Sequence, residues 1–329
     1  MATLTSAALI GAGFGLGACG DDDTPAGPTS SCAPTDPACP GLGSECLALT
    51  DNSGQDEFAL RLAQLSVTKP ESLTTDFVSL LISDGVNANL ETCNLQGMGS
   101  FNFMVVFDKP NDTLIMGGAY PEQDPTNGYC FVRDPVNQVE PVQVKANLQG
   151  DGSFSTDAID RLVVPIFIDN TGMQAVYLPL RQARIAGAQL SADQNCVGRF
   201  NAEGLKPEQN CAPFPEMGID YFVNGGDLDG YVVLEEADAV TVDLASQSLC
   251  VLLSGDPDTY GDGDPDVERC ARDGDGNIVL QGDWCSTTNS EGGCRDSFKL
   301  EGRVAASAAT VRTNGCPNGS AGQGGAGGA

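Results

Sequence analysis

The chain contains no histidine. That removes the commonest general base, the usual partner of a serine or cysteine nucleophile, and the commonest metal ligand, so no His-dependent triad can form within it. Basic residues are scarce: 16 Lys and Arg face 45 Asp and Glu, for a net charge of −29. Such a chain repels phosphate backbones at a distance, which argues against nucleic-acid binding. Trp284 is the single tryptophan and aromatics make up 6% of residues, few for the stacking platforms of sugar-cleaving clefts. There is no CxxC pair to suggest zinc or redox work, no GxSxG elbow, and no glycine-rich phosphate loop followed by Lys.

What is present points to an oxidising compartment. Thirteen cysteines are too many for an ordinary cytosolic protein. Hydrophobic residues make up 41% of the 329 positions, enough to bury a sizeable core in one large domain or two small ones.

Residues 1–18, MATLTSAALIGAGFGLGA, are apolar and small with no charged side chain. The stretch is short for a bilayer span and reads as the core of an export signal. It ends in Leu16-Gly17-Ala18-Cys19, followed by Gly20-Asp21-Asp22-Asp23. This resembles the lipobox of bacterial lipoproteins, with Leu at −3, two small residues and then the cysteine. The resemblance implies a diacylglyceryl group on the Cys19 thiol, cleavage just before it, and a mature chain tethered to a membrane. Gly20, in place of Asp, points to the outer membrane. The n-region departs from the pattern in lacking Lys and Arg. The competing reading is a buried apolar helix with an ordinary disulfide cysteine.

If Cys19 carries lipid, twelve cysteines remain, enough for six disulfides. Residues 19–46 form a tether rich in Pro, Asp and Ser, with Cys32, Cys39 and Cys46 at steps of seven. Residues 313–329 form a Gly-rich tail. Between them, 47–312 reads as mainly β: an antiparallel sandwich or barrel-like domain, disulfide-rich, with few short helices. A division near residue 150 fits the pattern without being required by it.

In SFNFMVVFD, Phe101, Phe103, Val105 and Phe107 alternate with Asn102, Met104 and Val106, making one strongly apolar face. DRLVVPIFID (160–169) and MQAVYLPLRQ (173–182) flank Asn170-Thr171-Gly172, a hairpin signal. ARIAGAQLSA (183–192), VEPVQVKANL (139–148) and SFKLEGRVAASAATV (297–311) add strands. Leu73, Phe77, Leu80 and Leu81 have helical spacing, with Gly85 as a stop, and a short helix is expected near Leu234–Asp238. The disulfide candidates are Cys93, Cys130, Cys196, Cys211, Cys250, Cys270, Cys285 and Cys294. Cys93 with Cys130 is one local grouping, and the six from 196 to 294 are another. A Cys196–Cys211 bridge would stabilise by roughly 3 kcal/mol on the chain-entropy model. Trp284, beside Cys285, reads as a tryptophan packed on a disulfide in a β core.

The densest chemistry-bearing stretch is GDPDTYGDGDPDVERCARDGDGN (255–277). Asp256, Asp258, Asp262, Asp264, Asp266, Asp273, Asp275 and Asn277 offer short oxygen arms on a bendable backbone, the ligand set of a hard cation such as Ca²⁺. The EF-hand pattern fails in both registers, since Tyr260 and Val267 take ligand positions in one and Ile278 takes the glycine position in the other. The bland alternative is a solvated acidic loop pinned by Cys250, Cys270 and Cys285. Ser66 and Lys69 match the SxxK spacing of penicillin-recognising enzymes, but LRLAQLSVTKP reads as a strand ending at Pro70, and that chemistry needs a helix.

The wider pattern, carried by NLQGMGSFNFMVVFD (94–108), LPLRQARIAGAQLSADQNCVGRFN (178–201) and LDGYVVLEEADAV (228–240), resembles Cys-rich lipoproteins of the myxobacterial type. That resemblance implies location and architecture and no reaction. The leading expectation is therefore a membrane-anchored envelope lipoprotein whose β domain is a binding or structural module for a protein or glycan ligand. The alternative is a secreted hydrolase working through carboxylates or a metal. A cleft lined by two carboxylates, or by several carboxylates with Trp284 or tyrosines beside them, would favour the second, and a smooth sandwich with no concave polar site would favour the first.

Overall fold

The computed structural model describes residues 44–45, 48–73, 97, 99–168, 171–201, 222–223 and 225–317. The lipobox, the tether up to residue 43 with Cys32 and Cys39, Cys46, the expected helix beyond Leu73, Cys93, Cys211 and the tail from 318 lie outside the described residues.

In chain order the strands are β1 (Ser44–Glu45), β2 (Glu57–Lys69), β3 (Asn102–Asp108), β4 (Thr113–Ala119), β5 (Val142–Lys145), β6 (Ser153–Phe154), β7 (Ile159–Phe167) and β8 (Ala175–Ala186). They continue as β9 (Ala188–Gln189), β10 (Cys196–Val197), β11 (Arg199–Asn201), β12 (Phe222–Val223), β13 (Gly226–Val233), β14 (Thr241–Val242), β15 (Gln247–Ser248) and β16 (Ser297–Ala309). The main sheet runs β5-β4-β3-β2-β16-β13-β8-β7, antiparallel throughout, with β10 added to β16. Strands from both sides of residue 150 interleave, because β2 pairs with β16 along most of its length.

The sheet curls until its ends nearly meet, so the fold is barrel-like rather than a sandwich. At the seam, β4 faces β7 without a hydrogen-bonded ladder. Gly118 in β4 lies against the ring of Pro165 in β7, leaving no space for a Cβ. Proline cannot donate to a ladder and is confined to sheet edges. Pro165 sits in the last strand of the path, where that loss is harmless. Pro179 in β8 obeys the same rule, lying beyond the stretch of β8 that pairs with β13.

Period-two alternation fills the interior. Phe103, Val105 and Phe107 of β3 join Leu60, Leu62, Leu162, Val164, Leu180, Leu300 and Val304 in one core. Phe58 stacks on Phe107 at 4.9 Å, and Phe154 meets Phe107 edge-on at 5.1 Å, closing one end. The opposite face of β3 is covered too. Met104 packs there with Ala59, Tyr129 and Ala309, under a strap in which Tyr129 N–H donates to Thr310 O and Arg312 N–H donates to Tyr129 O. Arg61 is 1% exposed on that face, its guanidinium 5.9 Å from the centre of the Tyr129 ring. A residual cavity of about 40 Å³ inside the barrel is lined almost wholly by apolar side chains such as Leu62, Phe103 and Leu180. It offers no convergent polar groups to orient a ligand.

A small lobe caps the barrel. Helices α1 (Leu234–Asp238), α2 (Leu249–Ser254) and α3 (Pro257–Tyr260) occupy it, with α1 where a short helix is expected. Ser248 caps α2 by accepting from Val251 N–H, and Gly255, at φ +68°, ends it in the left-handed conformation. Leu234, Ala237, Leu249, Val251 and Leu253 belong to the barrel core, so the lobe is continuous with it. Among the described residues no helix is long and apolar enough to cross a membrane.

The disulfides follow the local groupings in part. Cys250 pairs with Cys270 and Cys285 with Cys294, both within the expected cluster of six. Cys196 is also disulfide-bonded. The Cys93–Cys130 grouping is corrected: Cys130 pairs with Cys316, 186 residues away. The strap brings the end of β16 back over Tyr129 and so places Cys316 beside Cys130, which sequence proximity cannot show. Trp284 is corrected as well. It lies half-buried on the outer face of the sheet, outside the core, with Lys299 over its ring.

Candidate functional site

The acidic loop is built from nested turns. Asp256 caps α3, accepting from Thr259 N–H at 3.2 Å, and Asp258 lies within that helix. Asp262 accepts from Asp264 N–H at 2.9 Å and from Arg269 N–H at 3.3 Å, and Asp264 accepts from Asp266 N–H at 2.8 Å. Asp273 accepts from the N–H groups of Asp275 and Asn277, each at 2.9 Å. An Asp placed two residues before a backbone N–H closes this kind of turn on itself, so alternating Asp and Gly yields a chain of them.

The loop is anchored below. Buried Asp238 accepts from Ser248 Oγ at 2.9 Å and Cys270 N–H at 2.8 Å, and pairs with Arg272 at 3.0 Å. Arg272 also pairs with Glu235 at 2.8 Å, and Glu235 and Asp238 together raise its pKa. The eight expected Ca²⁺ ligands are thus spread over two turns and a helix cap. Among the described residues, the groups of three potential ligands close enough to share an ion are Asp238–Cys250–Cys270 and Cys285–Cys294–Asp296. In both, the two sulfurs are spent on each other as a disulfide. Because Asp256, Asp262, Asp264 and Asp273 already accept from N–H groups of their own turns, melting in Ca²⁺ and in chelator at fixed ionic strength is expected to differ by less than about 1 °C. A larger rise with Ca²⁺ that disappears in Asp262→Asn/Asp264→Asn would contradict this self-capped arrangement.

Polar concavities lie elsewhere among the described residues; one of about 290 Å³ is lined by Asp51, Asn52 and Glu57, and two others hold more of the charged groups. One of these two, of about 520 Å³, separates α1 from the segment 277–296 and contains two carboxylates, Glu235 and Asp296. Glu235 is engaged by Arg272. Asp296 accepts from Ser286 N–H at 2.8 Å and Ser286 Oγ at 2.6 Å. Burial pushes the Asp296 carboxyl up, but these donors and Ser297 outweigh it and hold it below the ordinary range. A general acid for glycoside cleavage needs the opposite shift.

The other concavity, about 170 Å³, is a groove on the outer face of β8, β13 and β16. Four residues of β8 (181–184) here span three of β13 (229–231), a bulge that leaves Gln182 at φ +52°. A left-handed backbone at a residue other than glycine costs about 1 kcal/mol or more. The Gln182 side chain lines the groove and donates to Asp160 at 2.8 Å. Asp229 is at the centre, with Arg184 on one oxygen at 2.6 Å and Lys299 on the other. Burial pushes its carboxyl up, and the two cations outweigh this and hold it below the ordinary range. Lys299 Nζ stands 4.5 Å from the centre of the Trp284 ring, and the indole N–H donates to Asn289 Oδ1 at 3.2 Å. Tyr231 completes the wall, its hydroxyl reaching Ser286 O at 3.4 Å. The Cys285–Cys294 disulfide closes the loop that carries both Asn289 and Ser286.

Of these groove residues, sequence reasoning singled out Trp284 alone. The available signal was the polar pair Gln182 and Arg184 in an otherwise apolar strand, both of which line the groove at the bulge. Ser66 and Lys69 lie on β2 as expected, and Lys69 pairs with Glu301 at 3.2 Å.

Asp134 and Asp229 are held low against burial, and hydrogen bonds from Ser53, Ser153 and Asn277 hold Asp51, Asp151 and Asp273 low. Depressed folded values place their stability above the unfolded pKa near 3.8, to be lost as pH falls through the lower folded values. The described cysteines are in disulfides. Tm is therefore expected to be flat between about pH 5.5 and 8 and to fall below about pH 4. A midpoint near pH 6–7 in a thermal pH series would contradict this.

No family model, no curated protein and no solved structure matches the chain.

Proposed function

We propose that the protein is an exported lipoprotein of the cell envelope, held in the outer membrane by lipid on Cys19, and that its barrel-like domain is a binding module. The observation that carries the module reading is the state of the carboxylates in the concave sites. Asp229, Glu235, Asp296 and Asp51 are each engaged by cations or by hydroxyl, amide and N–H donors, so among the described residues none of these concavities holds two unengaged carboxylates to serve as acid and base. The disulfides support export, since such bridges persist in oxidising compartments. The lipid supplies attachment, because a polar tether has no membrane affinity of its own.

Cys19→Ser is the test. With the wild type expressed in its own bacterium, membrane fractions are expected to hold nearly all of the protein. In Cys19→Ser most of it is expected to leave the outer membrane, as uncleaved precursor or soluble chain. Equal membrane recovery for the two would overturn the anchor.

A further inference from the structure

We propose that the groove between β8, β13, β16 and the Trp284 loop binds one neutral sugar ring of an envelope glycan. This deepens the binding-module reading and rests on it. The charges of the groove balance. Arg184 and Lys299 face Asp229, and Asp160, bonded to Gln182, brings a second carboxylate to the groove, so two cations meet two carboxylates and a ligand needs to bring no charge of its own.

The fold also leaves hydrogen-bonding capacity unspent. Arg184 commits Nε and Nη2 to Asp229, yet its side chain is 52% exposed and retains further N–H donors. Asn289 gives its carbonyl oxygen to the indole and keeps both amide hydrogens. Gln182 donates to Asp160 and keeps its carbonyl oxygen. Donors on Arg184 and Asn289 and an acceptor on Gln182 lining one groove suit sugar hydroxyls, each of which both gives and takes a hydrogen bond.

The chain's single tryptophan is held at this groove by Lys299 and Asn289, with Tyr231 beside it. Lys299 covers one face of the indole and Tyr231 is buried, so the part of Trp284 left exposed beside the polar groups is the surface for an apolar C–H face of a sugar ring. At the bulge, glycine would relieve the left-handed backbone but glutamine stands, and its amide lines the groove. The volume, about 170 Å³, is below the roughly 300–1,000 Å³ of pockets for drug-sized ligands and fits one ring.

Trp284 provides the readout. Purified mature protein is titrated at pH 7 with glucose, galactose, mannose and N-acetylglucosamine, following its fluorescence, with calorimetry as the second measurement. A saturable response to at least one sugar, with Kd of about 1–10 mM, is expected. Arg184→Gln and Asn289→Ala should each weaken it about tenfold. Gln182→Gly should weaken it several-fold while leaving Tm undiminished, since glycine suits that backbone, so its loss of affinity does not depend on damage to the fold. No saturable response to any of the four sugars would overturn the proposal. So would affinity untouched by all three substitutions, or a response to sodium sulfate alone, which would make the groove an anion site. Correct lipidation of Cys19 with no sugar response would sink this proposal and leave the envelope assignment standing.

Discussion

Replacing Cys130 and Cys316 together by Ser is expected to destabilise the protein by about 3–5 kcal/mol, the largest loss from any one described disulfide. The bridge spans 186 residues and encloses every strand from β5 to β16. A cross-link removes loop-closure entropy from the unfolded chain roughly as the logarithm of loop length, giving about 5 kcal/mol here. The Cys285–Cys294 bridge, with a separation of 9, gives about 2.7 kcal/mol on the same model. The native contacts around Cys130 survive its loss in part. Tyr129 and Arg312 keep their backbone hydrogen bonds, and Arg312 keeps Glu122 at 2.6 Å. Most of the effect should therefore act through the unfolded state, as a lower urea midpoint and a Tm lower by about 6–15 °C. A loss below about 1 kcal/mol, or a loss equal to that of Cys285→Ser/Cys294→Ser, would contradict this ranking.

Asp238→Ala is expected to cost about 3 kcal/mol. The carboxylate is buried and serves Ser248 Oγ, Cys270 N–H and Arg272 at once. Truncation leaves a buried hydroxyl and a buried N–H unpaired, at about 1–3 kcal/mol each before relaxation. Arg272 is half-exposed and retains Glu235, so its share is small. Asp238→Asn keeps an acceptor for the two buried donors but presents an amide to Arg272, and should cost about 1–2 kcal/mol. The effect should be local as well as global. Amide exchange in 262–277 should accelerate, because Asp238 fastens that loop to α1 and α2. An Asp238→Ala protein within about 0.5 kcal/mol of wild type by urea denaturation would show that the loop is held by the Cys250–Cys270 disulfide alone.

The individual strands were legible in the sequence, and their assembly was not. Alternation in SFNFMVVFD, the turn at Asn170–Gly172 and the apolar run of 297–309 mark β3, the β7–β8 hairpin and β16, since period two is a local signal. The pairing of β2 with β16 and of β13 with β8 joins segments far apart in the chain, and nothing in either segment names its partner. The Cys130–Cys316 bridge is hidden for the same reason. ARIAGAQLSA reads as a separate strand, yet β8 runs unbroken to Ala186, because the bulge at Gln182 absorbs the break in alternation. The acidic loop stood out in composition, but composition does not distinguish carboxylates that converge on an ion from carboxylates that each cap a turn. The groove is the converse case. Arg184, Asp229 and Lys299 are unremarkable in sequence and meet because three strands place them side by side.

Export and lipid anchoring of the barrel-like domain are tested most directly by the mass of the N-terminal peptide. Protein extracted from its native membrane, digested without reduction and analysed by mass spectrometry, is expected to begin at Cys19 with a diacylglyceryl-sized addition. The same digest should yield cross-linked peptides joining Cys130 to Cys316 and Cys250 to Cys270. A chain that retains residues 1–18, with an unmodified Cys19 and free thiols at Cys130 and Cys250, would contradict the account.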